Sequence, residues 1–459
     1  MAAARRGQRV LLIESGDCLG GNAARGGVNN WEMGVTSTPF AREIYEALRE
    51  QPNQAGVNKF GRHMCWAESN HPPFPGGEHL IDESLPYEAS LQRHGVESLA
   101  TDEDKVRRLW HAVVYEPEPY SRVLQSLLEE AGCEICLHTR YQGVVETEDS
   151  RLKRIRIGSR EGEEVVEARV FIDATADALV CRDLGCALMV GTESQKEFQE
   201  PSAPEEADPG WVNSVTLIFR VRPTDSPPPL QPVEPCWFRE KWGGGSFVEM
   251  PEGGWNINML PTMEGEEFLK YFQKGVTGYQ AAYQECLRRV DGFWSYIQNE
   301  YPEFQPFEMT WTAPALGVRE TRRVMGETLL TQHEVLAGYS KQDPSDLITL
   351  ADHAMDLHGN KRRFGCSELQ EPYGVPFGCL IPRGWENVLI ACRAASFTQI
   401  AASSCRLSRT MMSLGHAAGV AGALLEEGAR FQDLDGGSLR EELRKDGMLV
   451  DWEPGMAMR

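Results

Sequence analysis

The sequence predicts an α/β fold, a parallel nucleotide-binding sheet built from both ends of the chain with an α+β unit inserted between them. Three observations predict it. Residues 9–13 (RVLLI) are an apolar run ending in Glu14, directly after a helical stretch at 2–7. Residues 170–172 and 388–391 are two further apolar runs, each opening into small and polar residues. Two proline-rich stretches, 197–209 and 223–235, mark the passage into a segment of different composition. Continuous apolar runs beside helical patterns are the signature of parallel strands buried on both faces.

Bulk properties bound the function. A chain of 459 residues exceeds one ordinary core. Residues 1–200 and 365–459 read as a discontinuous nucleotide-binding domain, and 201–364 as a substrate or cap domain. A net charge of −22 argues against nucleic acid and anionic membranes as partners. No apolar run reaches membrane-spanning length, so no membrane insertion is expected. The 12 scattered cysteines read as reduced thiols of a cytoplasmic protein. A small-molecule substrate is the expected partner, with a homodimer left open. Cys133 and Cys136 form a CxxC, but no second pair accompanies it. His63, Cys65 and His71 match no familiar metal-ligand spacing.

The elements follow in order. Glu14 stands where such a fold places the acid that accepts hydrogen bonds from a ribose. The glycine-rich turn that cradles a pyrophosphate belongs about 20 residues before that acid. Only 13 residues precede Glu14, and a start inside the first helix is the expectation that follows. Residues 15–30 form a loop with Gly20, Gly21, Gly26, Gly27 and Asn29, read as contacting a cofactor. Residues 38–52 and 119–131 are helical in pattern, the second closed by Gly132. Residues 136–140, 142–148, 152–158 and 164–170 read as a four-stranded antiparallel meander. The run at 170–172 enters Asp173-Ala174-Thr175-Ala176-Asp177, then a helix over 178–185.

In the insert, 213–221, 247–250 and 255–259 read as strands. A long helical stretch spans 266–301, its aromatic residues read as core. Residues 376–381 and 388–391 read as strands, 393–404 as a small-residue stretch. A helix over 408–425 carries Gly415, Ala417, Ala418 and Gly419, which permit close packing against a sheet or a ligand.

These segments resemble the FAD-dependent oxidoreductase family, of the glutathione-reductase-like two-domain class, over nearly the whole chain. The resemblance rests on AAARRGQRVLLIES, GDCLGGNAARGGVNNW, EPYSRVLQSLLEEAGCEICLHT, FIDATADALVCRDLGC, GVRETRRVMGETLLT and two closing segments. It implies FAD as cofactor on a Rossmann-like domain, N-terminally truncated. Glu14, Gly20, Gly21, Gly26, Gly27, Asn29, Val144, Ala174, Thr175 and Asp177 would bind it, with Gly415, Ala417, Ala418 and Gly419 near a helix terminus beside the flavin. The chain departs from the family at Ala176, Gly378 and Cys392, where glycine, arginine and glycine are usual, and at Phe397-Thr398-Gln399, where a histidine is usual.

The reaction implied is hydride transfer between a small organic substrate and flavin. Arg319, in a cluster with Arg322 and Arg323, suits a substrate carboxylate or oxyanion. Its structural alternative is a pairing with Glu320 or Glu327. His353 and His358 are candidate bases, and Arg393 opens the small-residue stretch after a strand. A cofactor-free binding protein on the same fold and an NAD-dependent dehydrogenase are the alternatives.

Overall fold

Two pairs of short parallel strands carry the nucleotide-binding half. Leu11–Ile13 pairs with Glu134–Cys136, and Phe171–Asp173 pairs with Val388–Ile390. The computed structural model describes residues 1–58, 64–66, 81–82, 84–91, 111–232, 245–259, 261–361, 364–454 and 456. Parallel pairing requires a crossover between partners. The helix Pro117–Glu130 feeds the first pair. Proline at its first turn and Gly132, at φ +82°, after its end supply the start and stop. Helix Ala2–Arg5 packs on the long helix Ser408–Leu424. There a side chain at Gly419 would come within 3.0 Å of the Ala2 Cβ.

Several elements differ from the sequence expectation. The meander has three strands, Arg140–Glu148, Arg151–Gly158 and Glu163–Glu167. The expected first strand shifts to Glu134–Cys136, because Ile135 sits opposite Leu12 in the parallel ladder. Residues 376–381 are not a strand: the strand Tyr373–Pro376 ends at its proline and a 3-10 turn, Phe377–Leu380, follows. Inside the small-residue stretch lies a helix, Gln399–Cys405, capped by the Thr398 hydroxyl.

The inserted unit is a five-stranded sheet in the order Phe307–Thr312, Phe219–Pro223, Trp255–Asn258, Gly245–Glu249, Met64–Trp66. Of the strand expected over 213–221, Phe219–Pro223 forms regular pairing, while Val215 and Thr216 make isolated bridges to Met263 and Gly317. The helical stretch over 266–301 is two helices, Gly265–Phe272 and Gly275–Glu300, parted at Gly275 with φ +67°. Phe219, Phe247, Phe268, Phe293 and Phe304 fill the core between sheet and helices.

The apolar residues fall into separate clusters. Val215 to Val318 form one apolar cluster. Val324, Leu330, Val335, Ile348 and Met355 instead pack with the parallel strands and the C-terminal helices. A third cluster joins Ala23, Trp31, Ile44 and Tyr120. Among the described residues no helix is long and apolar enough to cross a membrane, and none group as a metal site. Cys133 and Cys136 are free thiols. His63 and His71 lie outside the described residues.

Candidate active site

A cavity of about 950 Å³ opens at the carboxyl ends of the parallel strands, where open α/β sheets bind ligands. Leu12 reaches it from the first strand, Ala174 and Ala176 from beyond Phe171–Asp173, and Ala391, Cys392 and Arg393 from beyond Val388–Ile390. Ile44, Leu124 and Leu128 give it an apolar flank, and Thr216, Ile218, Asn256 and Asn258 close it from the inserted sheet. Its volume is near the upper end of the roughly 300–1,000 Å³ common for ligand sites.

Asp173 builds one rim. Its carboxylate accepts from Thr175 N and Oγ1, at 3.0 and 2.7 Å, and from Val180 N and Cys181 N, at 3.0 and 3.1 Å. This network holds Ala176 and Ala178 at φ +66° and +53°, a conformation costing a non-glycine residue roughly 1 kcal/mol or more. At the opposite rim the helix Ser408–Leu424 begins without a side-chain cap. Ser408, Arg409 and Thr410 line the cavity there, and their N–H groups have no intrahelical acceptor.

The expected site residues divide. Gly20, Gly21, Gly27, Asn29, Ala174, Gly415, Arg319, Arg393 and His358 line the one cavity. Glu14, Gly26, Val144, Thr175, Asp177, Ala417, Ala418 and Gly419 do not. Glu14 stands just past the strand tip, with its carboxylate 2.6 Å from Gly16 N. Val144 lies in the meander. Thr175 spends its hydroxyl on Asp173. Asp177 accepts from Arg393 at 2.8 Å and from Thr321 at 2.7 Å. Ala417, Ala418 and Gly419 are buried within the helix, and Gly415 is two turns past its start. The positive helix end lies instead at Ser408–Thr410. Gly378 is buried against Thr328, so the arginine usual there would not fit.

The polar end of the cavity centres on His358. Its Nε2 lies 2.7 Å from Asp356 Oδ2, and its backbone N donates to Asn213 Oδ1 at 2.8 Å. Burial pushes its pKa down to about 4, helped by the charge of Arg319 and opposed by Asp356. Burial works to raise the Asp356 carboxyl, but the hydrogen bond and charge of His358, with the charge of Arg406, hold it below the usual carboxylate range. At neutral pH the pair is therefore a carboxylate accepting from Nε2–H of a neutral imidazole, whose Nδ1 carries a lone pair. His353 differs: Nδ1 faces Ala354 O at 2.7 Å and Nε2 faces Glu32 Oε2 at 2.8 Å, so both nitrogens are engaged.

Arg319 donates to Ser214 O at 2.8 Å. Its neighbours in sequence serve packing. Arg323, fully buried, pairs with Glu193 at 2.9 Å and approaches Glu320 at 3.6 Å. Arg322 lies over the Phe272 ring at 4.7 Å. Arg406, Asp356 and the Ser408–Thr410 turn were not singled out by the sequence. Asp356 and His358, at a spacing of two, were the one signal present.

These residues fit a flavin dinucleotide. The apolar flank suits a tricyclic ring, and the uncapped helix start suits the electron-rich edge of its pyrimidine. A Cβ added at Gly415 would meet nothing within 4 Å, so the cavity passes over the bare helix surface there.

No curated protein matches the chain. Among solved structures, the myxobacterial chondrochloren halogenase, a variant of FAD-dependent halogenases, is 13% identical over 97% of this chain and 75% of its own, with a TM-score of 0.42. A geranylgeranyl bacteriochlorophyll reductase-like protein from Thermoplasma acidophilum is 12% identical over 97% and 87%, with a TM-score of 0.39. L-Amino acid deaminase from Proteus myxofaciens is 12% identical over 92% and 85%, with a TM-score of 0.40. At this level of likeness nothing about the substrate follows. The family described as FAD dependent oxidoreductase matches residues 1–443. The chain belongs to that family: it is an α/β oxidoreductase whose cofactor is FAD.

Proposed function

We propose that the chain oxidises a small organic alcohol by hydride transfer, in the cavity between the parallel strand tips and the inserted sheet. The observation that carries this reading is the meeting, in one chamber, of an uncapped helix start and a neutral imidazole with a lone pair. FAD, when bound, supplies the hydride acceptor. The protein supplies the rest. His358 takes the hydroxyl proton at Nδ1 as the carbon gives up its hydride. Asp356 fixes the imidazole tautomer and stabilises the imidazolium that forms. Ser408, Arg409 and Thr410 present N–H groups and the positive helix end to the cofactor ring. Gly20, Gly21, Gly27 and Asn29 line its path. We assign ribose hydroxyls to Glu14, just past the strand tip, which would bind them after a turn of its side chain away from Gly16. Arg393, fixed by Asp177 in the cavity wall, would help to hold the cofactor. We assign the cap role to the Val215–Val318 unit. A cytoplasmic location rests on the reduced thiols, and a homodimer belongs to the same proposal.

Rapid mixing of the FAD-loaded protein with a panel of secondary alcohols and hydroxy acids, without oxygen, tests it. A panel member should bleach the flavin band. His358→Asn should keep its FAD and lose about 10²–10⁴ of the rate. An unchanged rate in that variant, or no bleaching by any member, overturns the reading.

A further inference from the structure

We propose that Arg319 and Arg406 form a carboxylate-binding pair, so that the substrate is a small hydroxy acid; this rests on the cavity being the flavin site. Both arginines line that cavity beside His358 and Asp356. Arg319 comes off Gly317 and Val318, where Gly317 is locked to Thr216 by hydrogen bonds of 2.7 and 3.2 Å at the root of the inserted sheet. Its guanidinium meets a neutral carbonyl, Ser214 O. Among the described residues it has no carboxylate within salt-bridge distance. Arg406 likewise donates to a carbonyl, Asp356 O, at 3.1 Å. Its approach to the Asp356 carboxylate is long, 4.0 Å, and its buried Nε has no acceptor. That carboxylate is already committed to His358 at 2.7 Å.

The chain treats most of its other buried arginines differently. Arg393 meets Asp177 at 2.8 Å, Arg220 meets Glu116 at 2.7 Å, and Arg323 meets Glu193 at 2.9 Å. Arg409, also in the cavity wall, resembles Arg319 in meeting only neutral groups, but its three hydrogen bonds to Ser90 and the Glu32 carbonyl occupy more of its fork. Among the described residues, neither Arg319 nor Arg406 therefore has a carboxylate closer than 4.0 Å. Burial works against the charge of each; Arg406 further opposes the charge of Arg319, while Asp356, Glu32 and Glu320 support that of Arg406 and Arg393 opposes it. A guanidinium does not relieve this by losing its proton; it binds an anion through its planar fork. A carboxylate held there lies beside the imidazole that accepts the hydroxyl proton. Substrate acid group and reacting hydroxyl are then neighbours on one small molecule.

The test uses FAD-loaded protein with lactate, malate and mandelate as probes, each against its amide. The readouts are the unfolding midpoint and the position of the flavin band. At least one acid should raise the midpoint, and its amide should not. Arg319→Gln should weaken that acid about tenfold or more while the flavin content stays unchanged, and Arg319→Lys should recover part of the loss. Arg406→Gln carries the same test if Arg319→Gln fails to fold. Equal effects of acid and amide, no effect of any acid, or loss of FAD in place of acid binding would each overturn the proposal. Acids that bind without bleaching the flavin in any combination would sink the hydride reading and leave the anion site standing. Bleaching by neutral alcohols with no carboxylate preference would do the reverse.

Discussion

His358 and Asp356, the second of them the last residue of the short strand Met355–Asp356, share a 2.7 Å hydrogen bond at the cavity wall. Arg406 holds the same Asp356 by its main-chain carbonyl at 3.1 Å. The backbone of Asp356 is thus fixed, and its carboxylate orients the imidazole through Nε2.

Burial and the charge of Arg319 place the His358 transition at about 4, below the ordinary 6.5. The proton-accepting form therefore persists through mildly acid solution. Flavin reduction is expected to stay level from neutral pH down and to halve near about pH 4. Arg319→Gln removes a nearby positive charge and should move that limb upward. Stability follows the same sign. Between 6.5 and about 4 the unfolded chain takes up a proton that folded His358 does not, so this stabilising contribution, complete above 6.5, is lost as pH falls. A wild-type rate limb near 6.5 would contradict the environment assigned to His358.

Glu116 and Arg220 tie the first half of the chain to the inserted sheet. They meet at 2.7 Å with side chains 3% and 7% exposed, and Glu116 also accepts from Glu252 N at 2.9 Å. Glu116→Gln strands a buried guanidinium, and the expected loss is about 3–5 kcal/mol. Replacing Arg220 by Met as well should return part of it. Denaturant titration reads both, and a single-variant loss below about 1 kcal/mol would show the pair to be unimportant.

Gly27 and Gly7 separate strain from crowding. Both have positive φ, +75° and +79°. A Cβ at Gly27 would lie 2.7 Å from the Ile218 Cβ, while one at Gly7 meets nothing within 4 Å. Gly7→Ala should cost about 1 kcal/mol from backbone conformation alone. Gly27→Ala should cost about 1–3 kcal/mol more through overpacking, and should also weaken FAD, since Gly27 borders the cavity. Equal losses in the two melts would refute the crowding.

Much of the nucleotide half was legible because its signals are local. The apolar runs over 9–13, 170–172 and 388–391 hold the parallel strands Leu11–Ile13, Phe171–Asp173 and Val388–Ile390. Gly132 closes its helix as read, and the aromatic residues of the insert are core. What failed were features decided at long range. His353 and His358 look alike in sequence. They part only because Glu32, 321 positions from His353, engages its second nitrogen. The pairing of Asp177 with Arg393, 216 positions on, was likewise not readable from the sequence. The strand expected over 376–381 became a turn where Gly378 packs on Thr328. Which cluster a residue joins is also decided at long range: Val318 packs with the inserted sheet and Val324 with the parallel strands.

Gly415 gives the most direct test of where the cofactor lies. It sits inside the helix Ser408–Leu424 with open cavity where a side chain would project. Gly415→Phe costs the helix nothing in propensity and fills that space. Titration of FAD into wild type and variant, read by flavin absorbance and by the unfolding midpoint, is the measurement. The expected result is one FAD per wild-type chain with a raised midpoint, and a folded variant that binds FAD at least tenfold more weakly. A wild-type protein that FAD neither colours nor stabilises, or a variant that binds it equally well, would contradict the account.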